Sequence, residues 1–256
     1  MGIGKTKRDR RNDMRAAARR VGAVLVVGVM IVSAMYLYNY LTTSERFSVT
    51  SIEFAGLSRV DGDGLDALMS DLIGENLFLA PLERYESRLE AHPRVSRAVL
   101  HRVLLNRVTC TIEEREPVAL IFVDRFLEVD AHGMVMKEDG YTALLDLPII
   151  TGLARGEVVP GEQSDSPRLQ RALNALALCK RFGGSFASDI SEMHVGSSGV
   201  TIRAAGRDCV LLLGDANYER RLKKYFLLQD MIVERNNSTK LIDLRFEDQI
   251  VLRGRI

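Results

Sequence analysis

The stretch that comes closest to a catalytic signature is His194–Val200, HVGSSGV. A hydrolase elbow needs G-x-S-x-G, which places a nucleophilic serine on a sharp strand-to-helix turn. Gly196 and Ser198 fit that spacing, but Val200 stands where the last glycine belongs, so the stretch reads as a loop. The histidines His92, His101, His132 and His194 share no metal-ligand spacing. Glu113 and Glu114 suggest an acid and a base, yet adjacent residues on a strand point to opposite faces and cannot share a substrate. Neither G-x-x-x-x-G-K-[ST] nor G-x-G-x-x-G occurs, so no loop is built to cradle phosphates. The expectation is a protein that is not an enzyme and that needs no cofactor or metal. Cys110, Cys179 and Cys209 are odd in number and lack C-x-x-C spacing. They read as small buried hydrophobes, of which at most one pair could bridge in an oxidising compartment.

The chemistry left is that of the main chain. Leu241–Ile256, LIDLRFEDQIVLRGRI, reads as one or two β-strands. An edge strand offers a row of free N–H and C=O groups that another chain can complete, with alternate side chains giving specificity. In IDLRF, Ile242, Leu244 and Phe246 are expected to face the core, and Asp243 and Arg245 to project the other way. Gln249, Ile250, Val251, Leu252 and Arg253 form the candidate docking edge, with Arg245 and Arg253 available for acidic partner residues. The competing reading is an edge merely guarded from aggregation by those charges.

What must position this edge begins at the other end of the chain. Residues 1–20 carry a net charge of +6, leaving −5 on the remainder of a 256-residue chain whose total is +1. Val21–Leu41 then runs without a charge, and at ~1.5 Å per residue it spans about 31 Å of helix, enough for a hydrocarbon core of about 30 Å. A secretory signal would be shorter and end in a small-x-small site. Tyr36, Tyr38 and Tyr40 suit an interfacial belt, and the preceding basic residues keep the N-terminus in the cytoplasm. That position also explains the basic run through anionic lipid rather than nucleic acid. Gly22 and Gly28 lack the G-x-x-x-G spacing of close helix pairing.

The exported part divides in two. From Arg46 to Val60 alternation predicts a strand ending at Gly56, followed by an amphipathic helix carrying Leu65, Leu68, Met69 and Leu72. A second helix carries Leu82, Tyr85 and Leu89 and stops at Pro93. Two strands follow, and in RVTCTIEERE Val108, Cys110 and Ile112 form one apolar face. From Pro117 short strands flank a helix capped by Ser166 and Pro167 and ended by Gly183, then a helix with Leu222, Tyr225, Phe226 and Ile232. The fold class is α+β, antiparallel-rich in its second part.

These features together resemble the FtsQ/DivIB family of bacterial cell-division proteins. SVTSIEFAGLSRV (Ser48–Val60) looks like the first strand of its POTRA domain, and NLFLAPLERYESRLEAHPRVSRAVLHR (Asn76–Arg102) like the second helix and strand. IEEREPVA (Ile112–Ala119) resembles the boundary between the POTRA and β domains, and FLEVDAHGMVM, LPIITG, VLLLG and IDLRF match later landmarks in order. Leu105 departs from the proline usual in the strand connection, and the chain is more similar to the short Gram-negative form. The resemblance implies a basic cytoplasmic tail over 1–20, a transmembrane helix over 21–41, a POTRA domain over 46–115 and a β domain over 117–253. It further implies an inner-membrane scaffold at the septum, with C-terminus periplasmic, that links early cytoskeletal components to late peptidoglycan synthesis. The partners it implies are FtsB and FtsL, the FtsW/FtsI-type synthase complex and FtsK. The alternative is a POTRA-type polypeptide-binding or translocation component of the envelope.

Overall fold

The structure is a computed structural model that describes residues 7–139, 142–205, 209–235 and 239–254. Lys5 of the basic run, Asp208 before the VLLLG strand, and Arg255 and Ile256 lie outside the described residues. One continuous helix, α1 (Lys7–Thr43), contains the apolar run, and its Arg19–Thr43 stretch is long and apolar enough to cross a membrane. Its apolar side chains from Val21 to Tyr38 lie exposed rather than packed on the rest of the chain. The chain divides into two compact units, one holding residues up to Ala55 with Gly62–Ser87 and Val99–Thr111, the other holding Gly56–Asp61, Arg88–Ala98 and Ile112–Ile256.

After α1 the expected β-α-α-β-β order is present: β1 (Ser51–Ala55), α2 (Gly62–Met69), α3 (Leu82–Glu90), β2 (Val95–Val103) and β3 (Arg107–Glu114). The three strands form a sheet in the order β1-β3-β2, with β1 parallel to β3 from Ser51 opposite Arg107 to Ala55 opposite Thr111. Leu65, Met69, Leu72 and Tyr85 are buried, as are Val108 and Cys110 on the apolar face of β3. Burial pushes the Cys110 thiol up to about 12, so at neutral pH it is an inert apolar group. Cys179 is pushed up equally by burial, and all three cysteines are buried.

The second unit is built on nine strands in the order β12-β11-β10-β9-β8-β7-β4-β5-β6. Their ranges are β4 Ala119–Phe122, β5 Phe126–Val129, β6 Val135–Lys137, β7 Ile149–Thr151, β8 Ile190–Gly196, β9 Gly199–Ala204, β10 Cys209–Gly214, β11 Thr239–Asp243 and β12 Val251–Gly254. Parallel pairs occur at β4/β7, β7/β8 and β10/β11, and the other pairs are antiparallel. The helix α4 (Pro167–Phe182) begins at Ser166, whose hydroxyl accepts from Leu169 N, and ends at Gly183. It buries Leu169, Leu173 and Leu176 over β8 and β9, while α5 (Tyr218–Arg235) bridges the parallel pair β10/β11. Phe186 packs edge to face on Tyr225 and Phe226 with centroids 5.7 and 5.4 Å apart, joining α5 to the turn after α4.

Ser197 and Ser198 make the β8–β9 hairpin turn, as the sequence suggests for HVGSSGV. Gly199 has φ +98°, and a Cβ there would collide with the carbonyl of Gly214. Gly199→Ala is therefore expected to destabilise the protein by about 2 kcal/mol or more, through both left-handed strain and backbone overlap. Denaturant unfolding of the variant measures it.

Candidate protein-interaction edge

Carboxylates that sequence alone leaves open for chemistry are engaged in holding backbone and guanidinium groups. Glu114 accepts from the backbone N–H groups of Ser58, Arg59 and Val60 at 2.6 to 3.0 Å. Burial works to raise its pKa, but these donors and the Arg59 charge outweigh it and keep the carboxyl below its ordinary range. Glu128, fully buried in the second unit, accepts from Arg59 at 2.6 Å, Arg94 at 2.9 Å and Thr142 at 2.5 Å. Asp139 binds the same two arginines at 2.7 and 3.0 Å. Among the described residues no group of three or more His, Cys, Asp or Glu is arranged to hold a metal.

The sheet edges differ in how their backbone groups are closed. On β6, Val135 N donates to Glu162 O at 3.0 Å and Gly161 N to Val135 O at 2.8 Å, so the segment after β7 covers that end of the nine-stranded sheet. On β2, Leu100 N donates to Glu86 Oε1 at 2.7 Å and Ala98 N to Glu90 Oε1 at 3.2 Å. Two carboxylates one helical turn apart on α3 thus meet two N–H groups two residues apart on the strand. β12 stands at the other end of the large sheet and among the described residues pairs with β11 alone, with Asp243 opposite Val251, Ile242 opposite Leu252 and Leu241 opposite Arg253.

The structure places the candidate residues as follows. Val251, Leu252 and Arg253 lie in β12, while Gln249 and Ile250 precede it in the connection from β11. Arg253 is exposed and has no ion pair among the described residues. Two side-chain expectations are corrected. Phe246 is 43% exposed rather than in the core, because β11 ends at Asp243 and the alternation stops with it. Asp243 is fully buried, and Arg245 is committed to it through Nε at 2.9 Å and Nη2 at 2.7 Å, with Arg245 N donating to the same carboxylate at 3.1 Å. Arg245 is therefore a structural clamp on the loop rather than a free cation for a partner. Its bidentate bond holds the Asp243 carboxyl below the ordinary carboxylate range.

From α5 three basic residues reach the same loop. Arg221 donates to Leu213 O at 2.5 Å and Arg245 O at 3.0 Å, Lys224 donates to Glu247 O at 3.0 Å, and Arg220 lies 3.9 Å from Asp248. Beside them a groove of about 750 Å³ runs along α5, lined by Asn217, Arg220, Lys224, Leu227, Leu228 and the ion pair of Glu219 with Lys223 at 2.7 Å. It continues through Asn217, Arg220 and Lys224 to Phe246 and Glu247. Leu227, 83% exposed, and Met231, 49% exposed, stand apart from the inward stripe of Leu222 and Tyr225. Sequence reading missed this groove; its signal was the surplus of apolar residues in FLLQDM beyond what one core-facing stripe uses.

Residues 47–115 match the family described as POTRA domain, FtsQ-type, and residues 119–245 match Cell division protein FtsQ/DivIB, C-terminal. Curated relatives are each named Cell division protein FtsQ. One from Geotalea daltonii is 24% identical over 95% of this chain and 89% of its own. One from Myxococcus fulvus is 26% identical over 95% and 91%, and one from Rhodothermus marinus 29% identical over 92% and 87%.

A carboxyl whose folded pKa is depressed contributes stability above its unfolded value of about 3.9, and that contribution is lost as pH falls through the folded value. Asp243→Asn is thus expected to lower Tm at pH 7 by a few degrees and to flatten the fall in Tm below about pH 4. Thermal melts of both proteins across pH 2 to 7, roughly the range over which a carboxylate titrates, check the sign.

Proposed function

Since this chain belongs to the FtsQ/DivIB family of cell division proteins, we propose that it is a non-catalytic scaffold of the division machinery, anchored in the inner membrane by α1. The basic excess before the apolar run supports a cytoplasmic N-terminus and a periplasmic location for both units. The protein concentrates at the septum and links early cytoskeletal components to the late FtsW/FtsI-type synthase complex, with FtsK among its neighbours. Its second unit captures FtsB, which pairs with FtsL, by adding an FtsB strand to β12.

The observation that carries this reading is a sheet edge unpaired among the described residues, whose loop from β11 borders a groove of charged and apolar residues on α5 in the same unit. Backbone bonds supply affinity along Val251–Gly254, and Arg220, Lys224 and Arg253 suit acidic side chains of the partner. Phe246 and Leu227 offer the apolar contact that a charged edge alone lacks.

Full-length protein co-purified with FtsB and FtsL from membranes tests it. Deleting residues 249–256 should leave the first unit resistant to proteolysis and abolish FtsB capture; undiminished capture would sink the proposal. Successive N–H groups on a strand point to opposite edges, so one of Val251→Pro and Leu252→Pro removes an outward donor. That variant should weaken capture by about tenfold without changing Tm, whereas its neighbour should lower Tm as well. A fluorescent fusion should form a mid-cell band; uniform envelope signal would favour the polypeptide-translocation alternative.

A further inference from the structure

Beyond α1, exposed apolar side chains of the first unit that nothing in the proposed function uses include Phe78 at 39%, Leu79 at 58%, Leu104 at 71% and Leu105 at 63%. The loop carrying the first two is tied to the end of α1. Asn76 Nδ2 donates to Leu41 O at 2.9 Å and Thr42 O at 3.1 Å, two carbonyls that the helix end leaves without an intrahelical donor. The Asn76 Oδ1 accepts from Phe78 N at 2.9 Å, and Leu77 N donates to Phe47 O at 2.7 Å. Arg102 on β2 fixes the far side of the loop, donating to Leu77 O at 2.7 Å and Ala80 O at 2.8 Å. The loop is thus pinned at both ends with its apolar tip facing outward.

The tip continues the aromatic belt of the helix. Tyr40 meets Phe47 edge to face at 5.9 Å between centroids, and Phe47 meets Phe78 at 5.3 Å. Leu104 and Leu105, in the β2–β3 turn, lie at the same end. Thr50 N donates to Asn106 O at 2.8 Å, and the parallel register of Ser51 with Arg107 sets the two leucines level with the residues leaving α1. The uncharged run Val21–Leu41 is about 31 Å long as helix, so Leu41 reaches the far boundary of a hydrocarbon core of about 30 Å. Asn76 is bonded to Leu41 itself, which sets the Phe78–Leu79 tip at that boundary.

We propose that this end of the first unit beds into the membrane, with Phe78, Leu79, Leu104 and Leu105 inserted at the boundary between lipid headgroups and acyl chains. The occupant of the patch is lipid, because the patch is continuous with the belt of the spanning helix and is fastened to that helix by backbone capping. The inference rests on α1 spanning the membrane. Its effect is to restrain the first unit against the bilayer, so that the anchor and the folded unit move as one body.

The chain contains no tryptophan, which makes single-Trp variants clean probes. Full-length Leu79→Trp and Leu105→Trp are reconstituted in phosphatidylethanolamine–phosphatidylglycerol vesicles, with and without a lipid brominated near the glycerol end of its acyl chains. Met30→Trp at the middle of the span, read against a lipid brominated near the chain end, and Leu144→Trp in the second unit are controls. Both loop probes should emit to the blue of Leu144→Trp and lose intensity by about twofold with brominated lipid, as residues at the interface do. Water-like emission without quenching at both sites, while Met30→Trp is quenched, overturns the inference and leaves the span intact. A blue-shifted probe without quenching means cover by protein and overturns it too. Unquenched Met30→Trp overturns the span together with the inference built on it.

Discussion

Backbone hydrogen bonding at strand edges is the constraint on which the rest of this structure depends. An unpaired N–H buried or presented to other chains is a liability, and a sheet of nine strands has two edges to answer for. The chain answers at β6 with main chain from residues 161–164, and in the separate three-stranded sheet it closes β2 with the carboxylates of Glu86 and Glu90. At β12 it supplies no such cover among the described residues. Of the two ends of the nine-stranded sheet, β12 is the one without main-chain cover among the described residues, and it is the edge proposed to take another strand.

The loop between β11 and β12 is held in shape by side chains of its own unit. The buried Asp243 carboxylate and the Arg245 guanidinium form a bidentate pair across two residues, while Arg221 and Lys224 bond the carbonyls of Arg245 and Glu247. Ordering a loop on binding consumes conformational entropy, so a loop already fixed leaves more of the interaction energy for affinity. The apolar groove on α5 is continuous with the same loop, which lets one partner use backbone bonds and side-chain packing together.

Much of this architecture was legible in the sequence because periodicity survives where one face is buried. Ser166, Pro167 and Gly183 mark α4 through capping chemistry that is local to the chain, and Val108, Cys110 and Ile112 mark β3 by strict alternation. The reading of IDLRF failed at Phe246 because alternation cannot show where a strand ends. It failed at Asp243 because alternation shows which face a side chain takes, not whether that face is covered, and Asp243 is fully buried where Arg245, two residues on, clamps it. The roles of Glu86 and Glu90 were invisible for a different reason: they depend on how α3 lies against β2, which no local pattern encodes. The groove on α5 was half visible, as apolar residues in excess of one stripe, without anything to say which face they occupied.

The central claim is that β12 accepts a strand from FtsB. Amide hydrogen exchange of the full-length protein, alone and bound to FtsB and FtsL, tests it most directly. Alternate amides within Val251–Gly254 should exchange freely in the unbound protein and become protected in the complex, while those of β6 and β2 stay unchanged. Complex formation with no gain of protection anywhere in Val251–Gly254 would contradict the account.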